Sequence, residues 1–347
     1  MPSPQTPAEN LPTSVSHKML APHGETLDPQ HVLSAWIQFY LAVRVQGGSE
    51  HTRRAKESDL QKFLRFFVDQ LGTERVDFWT PSMSKAFLKW LHTAPRREVG
   101  AAERRKGEGD RPLAATSVNR ILATLRHFGG WLHGQRPLPT GHPFEGVKNL
   151  AIDEPAWNGL TVREVTRLKI ACEQRLALCT RADQNALLET AVFYCLLFTG
   201  LRESELAALN VGQYHHRGFH QVKRKGSKIS GKVSVPAEAK AWLDRYLESR
   251  EGELADQEPL FVTRYSNRIA RKDIYRIARR ICDQANATGD GIRLTPHMLR
   301  HTFLKRVANK HGVHVAQEIS GNISMREIFR YTKPSQEEKD RLAVILF

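Results

Sequence analysis

Cysteine is scarce in this sequence of 347 residues, and acidic charge falls well short of basic charge. The four cysteines, Cys172, Cys179, Cys195 and Cys282, stand apart, and none forms the close pairs of a zinc finger or ribbon. They read as reduced thiols packed as small apolar side chains. No apolar run approaches the ~20 residues that a membrane-spanning helix needs. The first residues show no secretory apolar core, so a cytoplasmic protein is the expectation. There is no phosphate-cradling P-loop and no acidic cluster with metal-ligand spacing.

The shortage of acid defines the surface. Lys and Arg number 52 against 37 Asp and Glu, a formal net charge of +15, while 40% of residues are apolar. The balance implies a folded protein with a positive exterior, whose natural partner is a polyanion. An anionic membrane surface would also attract it; a nucleic acid suits a chain without a membrane segment better.

The length allows two domains with separate cores, and no internal repeat runs through it. Residues 1–27, rich in Pro, Ser and Thr and without apolar period, read as a disordered tail. Residues 28–147 read as a helical domain. A first helix stops at Gly47-Gly48, and a second starts near Ser49. Leu60, Phe63, Leu64 and Phe67 give the second one apolar face. Arg53, Arg54 and Lys56 precede that stripe as candidate nucleic-acid contacts. A third helix is expected over "SMSKAFLKWLHT". The charged, Gly-rich "APRREVGAAERRKGEGDRPLAA" after it reads as a long exposed loop. Its Arg104, Arg105 and Lys106 either touch phosphates or belong to a solvated loop. A fourth helix, capped by Thr116 or Ser117, carries the stripe Val118, Ile121, Leu122, Leu125 and Phe128.

A stretch dense in Pro and Gly follows, with residues 148–158 as the linker. The second domain, 159–335, opens on a helix with Thr161 and Glu164 as a capping box. An almost wholly apolar helix then closes at Gly200. After a short helix, "VGQYHHRGFHQVKRKGSKISGKVSVP" suggests a small antiparallel sheet with a basic turn. Three more helices follow, the last with Thr295 as cap and Pro296 in its first turn. The fold class is mainly α with a small antiparallel sheet (α+β). Residues 336–347 end in "LAVILF", too apolar to stay exposed on a soluble monomer; they dock on a neighbouring subunit or pack on their own domain.

Several residues in this second domain could handle phosphate. His297 and Arg300 share a face at the start of a helix, whose free N–H groups suit an anion. Arg202 follows the Gly-capped buried helix, and Glu205 one turn on can orient its guanidinium for a bidentate grip. The alternative is a local surface ion pair of little energetic worth. Arg224, Lys225, Lys228 and Lys232 surround one hairpin turn, which could follow a DNA groove, deliver a lysine as proton donor, or be a solvated turn.

Taken together, "TGLRESEL", the basic Lys-Gly hairpin, "TPHMLRHTF" and a "GN" followed nine residues later by Tyr331 resemble the tyrosine recombinases, the phage integrase or Xer-like family. The resemblance is strong over about 155–335. Over 28–147 it rests on helical pattern and implies a core-binding domain, with both domains closing as a basic clamp on DNA. It implies that Arg202 and Arg300 hold the scissile phosphate, that Glu205 supports the first of them, and that His297 is a general acid/base. Lys225 corresponds to the hairpin lysine that protonates the leaving 5′ oxygen, with Lys228 in reserve because Arg224 stands where the family usually has glycine. Tyr331 corresponds to the nucleophile that forms a 3′-phosphotyrosyl link. Asn322 stands where most members have histidine and some tryptophan; its amide can donate to a phosphate oxygen but cannot carry charge.

The implied partners are double-stranded DNA with specific recombination sites and further copies of the chain, dimer to tetramer, in the cytoplasm at the nucleoid. No ATP, metal or other cofactor is implied. A DNA-binding protein of the same fold with a weakened site is a second reading, supported by Asn322, and a relaxing topoisomerase with similar chemistry a third.

Overall fold

The computed structural model describes residues 28–45, 47, 49–100, 109–152, 159–178, 185–215, 218–224, 229–250, 254–287, 291–321 and 340. The chain divides into two compact units that part between residues 154 and 155. Arg104, Arg105, Lys106, Lys225, Lys228, Asn322 and Tyr331 lie outside the described residues, as do the tail at 1–27, linker residues 153–158 and the closing "LAVILF".

The first unit holds α1 (Leu33–Arg44), α2 (Glu50–Leu71), α3 (Pro81–Thr93), α4 (Arg96–Val99) and α5 (Ala115–Gln135). Ser49 starts α2 by accepting from the Thr52 N–H at 3.3 Å, and Thr80 does the same for α3 from Met83 at 3.1 Å. The core is aromatic: Tyr40, Phe63, Phe67, Trp79, Phe87 and Phe128 are all buried. The Phe63 ring stands 4.7 Å from that of Trp79 and 5.1 Å, edge-on, from Phe87. One charge lies within this packing. Asp59 on α2 is buried and takes both Arg120 amino groups, at 2.7 and 2.8 Å, and the Thr124 hydroxyl at 3.0 Å, which locks α2 to α5.

Three local expectations change here. Phe66 is buried while Leu64 is only half-buried, so the apolar face of α2 is rotated toward α3. Helix α5 begins two or three residues earlier than expected: Ala114 occupies its cap without a side-chain bond, and Thr116 and Ser117 fall inside the first turn. The supposed loop contains α4, because Val99 finds a fully buried site and Arg65 donates to its carbonyl at 3.2 Å. Four residues are too few to show a helical period.

The second unit comprises α6 (Val162–Leu178), α7 (Ala186–Thr199), α8 (Glu203–Ala207), β1 (Tyr214–His215), β2 (Gly218–Lys223), β3 (Ile229–Ser234), α9 (Ala237–Glu248), α10 (Arg271–Asn286), α11 (Pro296–His311) and α12 (Val313–Ser320). The strands form one antiparallel sheet in the order β1-β2-β3, with Phe219 opposite Val233 and both buried. Thr161 and Glu164 close the capping box of α6 reciprocally, at 2.8 and 3.2 Å. Apolar on nearly every side, α7 runs through the core against α6, α9, α10 and α11. Its one carboxylate, Glu189, is buried between Arg175 of α6 at 2.7 Å and Arg280 of α10 at 2.6 Å.

Helix α7 ends at Gly200, in the left-handed region with φ of 62°. A Cβ there would overlap the Phe303 ring of α11. Gly200→Ala therefore combines a left-handed backbone cost of about 1–2 kcal/mol with overpacking of about 1–3 kcal/mol. Urea denaturation is expected to show a loss of about 2–5 kcal/mol; a loss below about 0.5 kcal/mol would contradict the tight α7–α11 contact.

Candidate active site

The turn after Gly200 delivers Arg202 to the cap position of α8 with extended backbone. Glu205, one turn on and buried, receives the Arg202 N–H at 2.9 Å through one oxygen and Arg202 Nη1 at 2.7 Å through the other. The sequence spacing of Arg202 and Glu205 is thus a real contact. It is a closed ring and not a loose surface pair, and the Arg202 side chain stays 24% exposed.

Arg300 is the deepest charge of the site, 1% exposed. It reaches down from α11, donating Nη1 to the Gly200 carbonyl and Nη2 to the Ser320 carbonyl at 2.8 Å. It therefore ties the end of α7, two residues before Arg202, to the end of α12, two residues before Asn322. Thr295 caps α11 by accepting from Met298 N–H at 3.3 Å, which sets the register of His297 and Arg300 on that helix.

His297 is exposed at the start of α11. The cost of desolvating its ring lowers its pKa; Glu203 pulls it up, while Arg300 and Arg202 push it down. These neighbours place Arg202, His297 and Arg300 within one electrostatic site. A partner that sequence reasoning missed is His301, four residues on along α11. Its ring stands edge-on to His297, with 4.2 Å between centroids. Burial, then His297 and Arg300, hold its pKa down to about 3, so it is neutral across the physiological range. The i, i+4 spacing was the available signal.

Arg224 is a correction. Expected on an exposed DNA-tracking turn, its side chain is 6% exposed and donates to Glu205 Oε2 at 2.9 Å and to the Ile319 carbonyl at 3.3 Å. A buried carboxylate and a helix end outcompete solvent for it. Arg202, Ser204, Glu205, Lys223 and Arg224 line a cavity of about 280 Å³. In the first unit, Arg53 and Arg54 are exposed, Arg54 pairing with Glu50 at 3.0 Å, and Lys56 lies half-buried 5.7 Å from the Tyr40 ring centre.

Two arginines and a histidine converging on helix ends, one arginine braced by a buried acid, define a site of the kind that handles a phosphodiester. The sequence matches the Phage integrase family over residues 160–338 and the phage integrase N-terminal SAM-like domain over 37–135. It is 27% identical over 301 residues to the tyrosine recombinase XerC of Vibrio vulnificus strain YJ016, with 85% of each chain covered. The fold resembles a lambda integrase dimer bound to a COC′ core site, at TM-score 0.62 and 16% identity over 87% of this chain and 77% of that one. It also resembles XerH site-specific recombinase bound to a palindromic difH substrate in a post-cleavage complex, at TM-score 0.65 and 18% identity over 90% and 84%. The chain belongs to the phage integrase family: it is a tyrosine-type recombinase, an enzyme that cuts and rejoins DNA strands. Among the described residues no helix is long and apolar enough to cross a membrane.

His301 gives the fold a defined acid response. An unfolded histidine titrates near ~6.5, whereas in the fold His301 does so at about 3. Its contribution to stability is full above the unfolded value and is lost as pH falls toward the folded one, because the unfolded chain takes up a proton that the folded chain refuses. Between about pH 7 and 5, where most carboxylates stay ionised, the urea midpoint of wild type is expected to fall more steeply than that of His301→Gln. Parallel profiles would assign the acid response elsewhere.

Proposed function

We propose that the protein acts on duplex recombination sites by forming a transient covalent link between Tyr331 and a DNA 3′ phosphate. The supporting observation is the convergence of Arg202, braced by Glu205, with Arg300 and His297. The Tyr331 oxygen attacks phosphorus and the bond to the 5′ oxygen breaks. The tyrosine proton passes to His297, whose lowered pKa keeps it neutral and able to accept it. The leaving 5′ oxygen takes a proton from Lys225, or from Lys228 if the hairpin presents that residue. Arg202 and Arg300 stabilise the charge that builds on the non-bridging oxygens, and the Asn322 amide adds a neutral donor. Attack by another strand's 5′ hydroxyl reverses these steps. The phosphotyrosyl bond conserves the energy of the phosphodiester, so the exchange requires no ATP.

Exchange between two duplexes needs several copies of the chain, and we place two to four on the paired sites. Arg53, Arg54 and Lys56 contact the DNA backbone from the first unit, with Arg104, Arg105, Lys106 and Lys228 as further phosphate contacts. The protein works in the cytoplasm, at the nucleoid.

A nicked suicide duplex carrying the native flanking DNA tests this reading. Wild type is expected to leave a covalent adduct on a denaturing gel, and Tyr331→Phe none while still binding DNA. Arg202→Ala is expected to slow adduct formation by about 10²–10³, and Asn322→His to speed it. An adduct that survives in Tyr331→Phe would move the nucleophile to another residue.

A further inference from the structure

Arg224 directly follows β2 and precedes Lys225, yet it faces the interior. Its Nη1 and the Nη1 of Arg202 are held by the two oxygens of one buried carboxylate, Glu205, at 2.9 and 2.7 Å. Alone, Arg202 and Glu205 would nearly cancel, and Arg202 would meet a phosphate with little charge left. With Arg224 the trio carries a formal charge of +1. The Arg224 stem also lies over Gly321, where a Cβ would stand 3.5 Å from its Cδ and Nε, and its Nη2 meets the Ile319 carbonyl at 3.3 Å. One side chain thus joins the hairpin base, the acid that holds Arg202, and the end of α12 just before Asn322.

Burying such a pair costs desolvation energy that a well-packed apolar substitute would avoid. A mere filler of this space had no need of a charge. The cavity lined by Arg202, Glu205, Lys223 and Arg224 keeps the trio beside solvent-accessible space, where its net charge can act on an anion.

We propose that Arg224 is a positioning residue for strand transfer: it holds Glu205 so that Arg202 keeps its orientation toward the scissile phosphate and the carboxylate's charge is divided between two arginines. This rests on the reading of Arg202 as a phosphate ligand. It gives the segment that leads into Lys225 a second role, since Arg224 bears on the charge around Glu205.

The test uses the full-length chain and two suicide duplexes, one ordinary and one with a neutral methylphosphonate at the scissile position. Arg224→Met is expected to slow adduct formation on the ordinary duplex by about 10–100-fold, with DNA affinity unchanged. Arg224→Lys is expected to restore part of that rate. On the neutral duplex, which has no such charge to offset, the difference from wild type is expected to shrink to about threefold or less. If urea denaturation shows that Arg224→Met does not fold, the comparison is read on Arg224→Gln, which keeps a hydrogen-bond donor and loses the charge. Equal slowing on both duplexes would make Arg224 a purely structural support and overturn the proposal. So would a wild-type rate in the variant, or a fall in DNA affinity that matches the fall in rate. A wild-type chain that forms no adduct on the ordinary duplex would instead overturn the parent reading of the reaction, and this one with it.

Discussion

Arg300 satisfies two backbone carbonyls, those of Gly200 and Ser320, at the ends of two helices. Helix C-termini leave carbonyls without partners and carry partial negative charge, so a buried guanidinium is well matched to them. Because these two ends precede Arg202 and Asn322 by two residues each, the same contact that finishes the helices also places the site. The site is held by backbone, through a side chain with almost no freedom left. That is the condition under which donors can be preorganised for a charged transition state.

A chain with 52 basic residues and 37 acidic ones must decide where its acids go. Among the described residues, several carboxylates pair with arginines in or near the cores. Asp59 takes Arg120, Asp77 takes Arg75 and Arg136, Glu189 takes Arg175 and Arg280, and Glu205 takes Arg202 and Arg224. Asp77, Glu189 and Glu205 each serve two arginines, so each of these groups carries more formal positive than negative charge. Three cysteines in the second unit are buried, and burial pushes the Cys172 thiol up to about 12, which leaves them as packing groups without thiolate chemistry.

Much of this was legible from the residues. The caps Ser49, Thr161 and Thr295, the closing Gly200, the stripe of α5 and the sheet between α8 and α9 follow from local rules that need only neighbours in sequence. The pairing of Arg202 with Glu205 was legible for the same reason, being one helical turn apart. What failed was whatever depended on distant partners. Helix α4 exists because of a core site for Val99, and α5 starts after Ala114 without a side-chain cap, where no capping residue in the sequence marks it.

Arg224 marks that boundary most clearly. As one basic residue among several in "VKRKGSK" it read as surface charge, since charge runs are usually solvated. Its partners, Glu205 and Ile319, lie 19 and 95 residues away, so no local pattern could announce them. By itself the sequence determined a basic, two-part, mainly helical chain and residue types suited to a phosphate, because periodicity, caps and motif spacing are local. Tertiary structure alone decided which arginines are buried, that Arg202 and Arg224 share one carboxylate, and that His301 stands neutral against His297, because burial and pairing depend on contacts that only the folded chain makes.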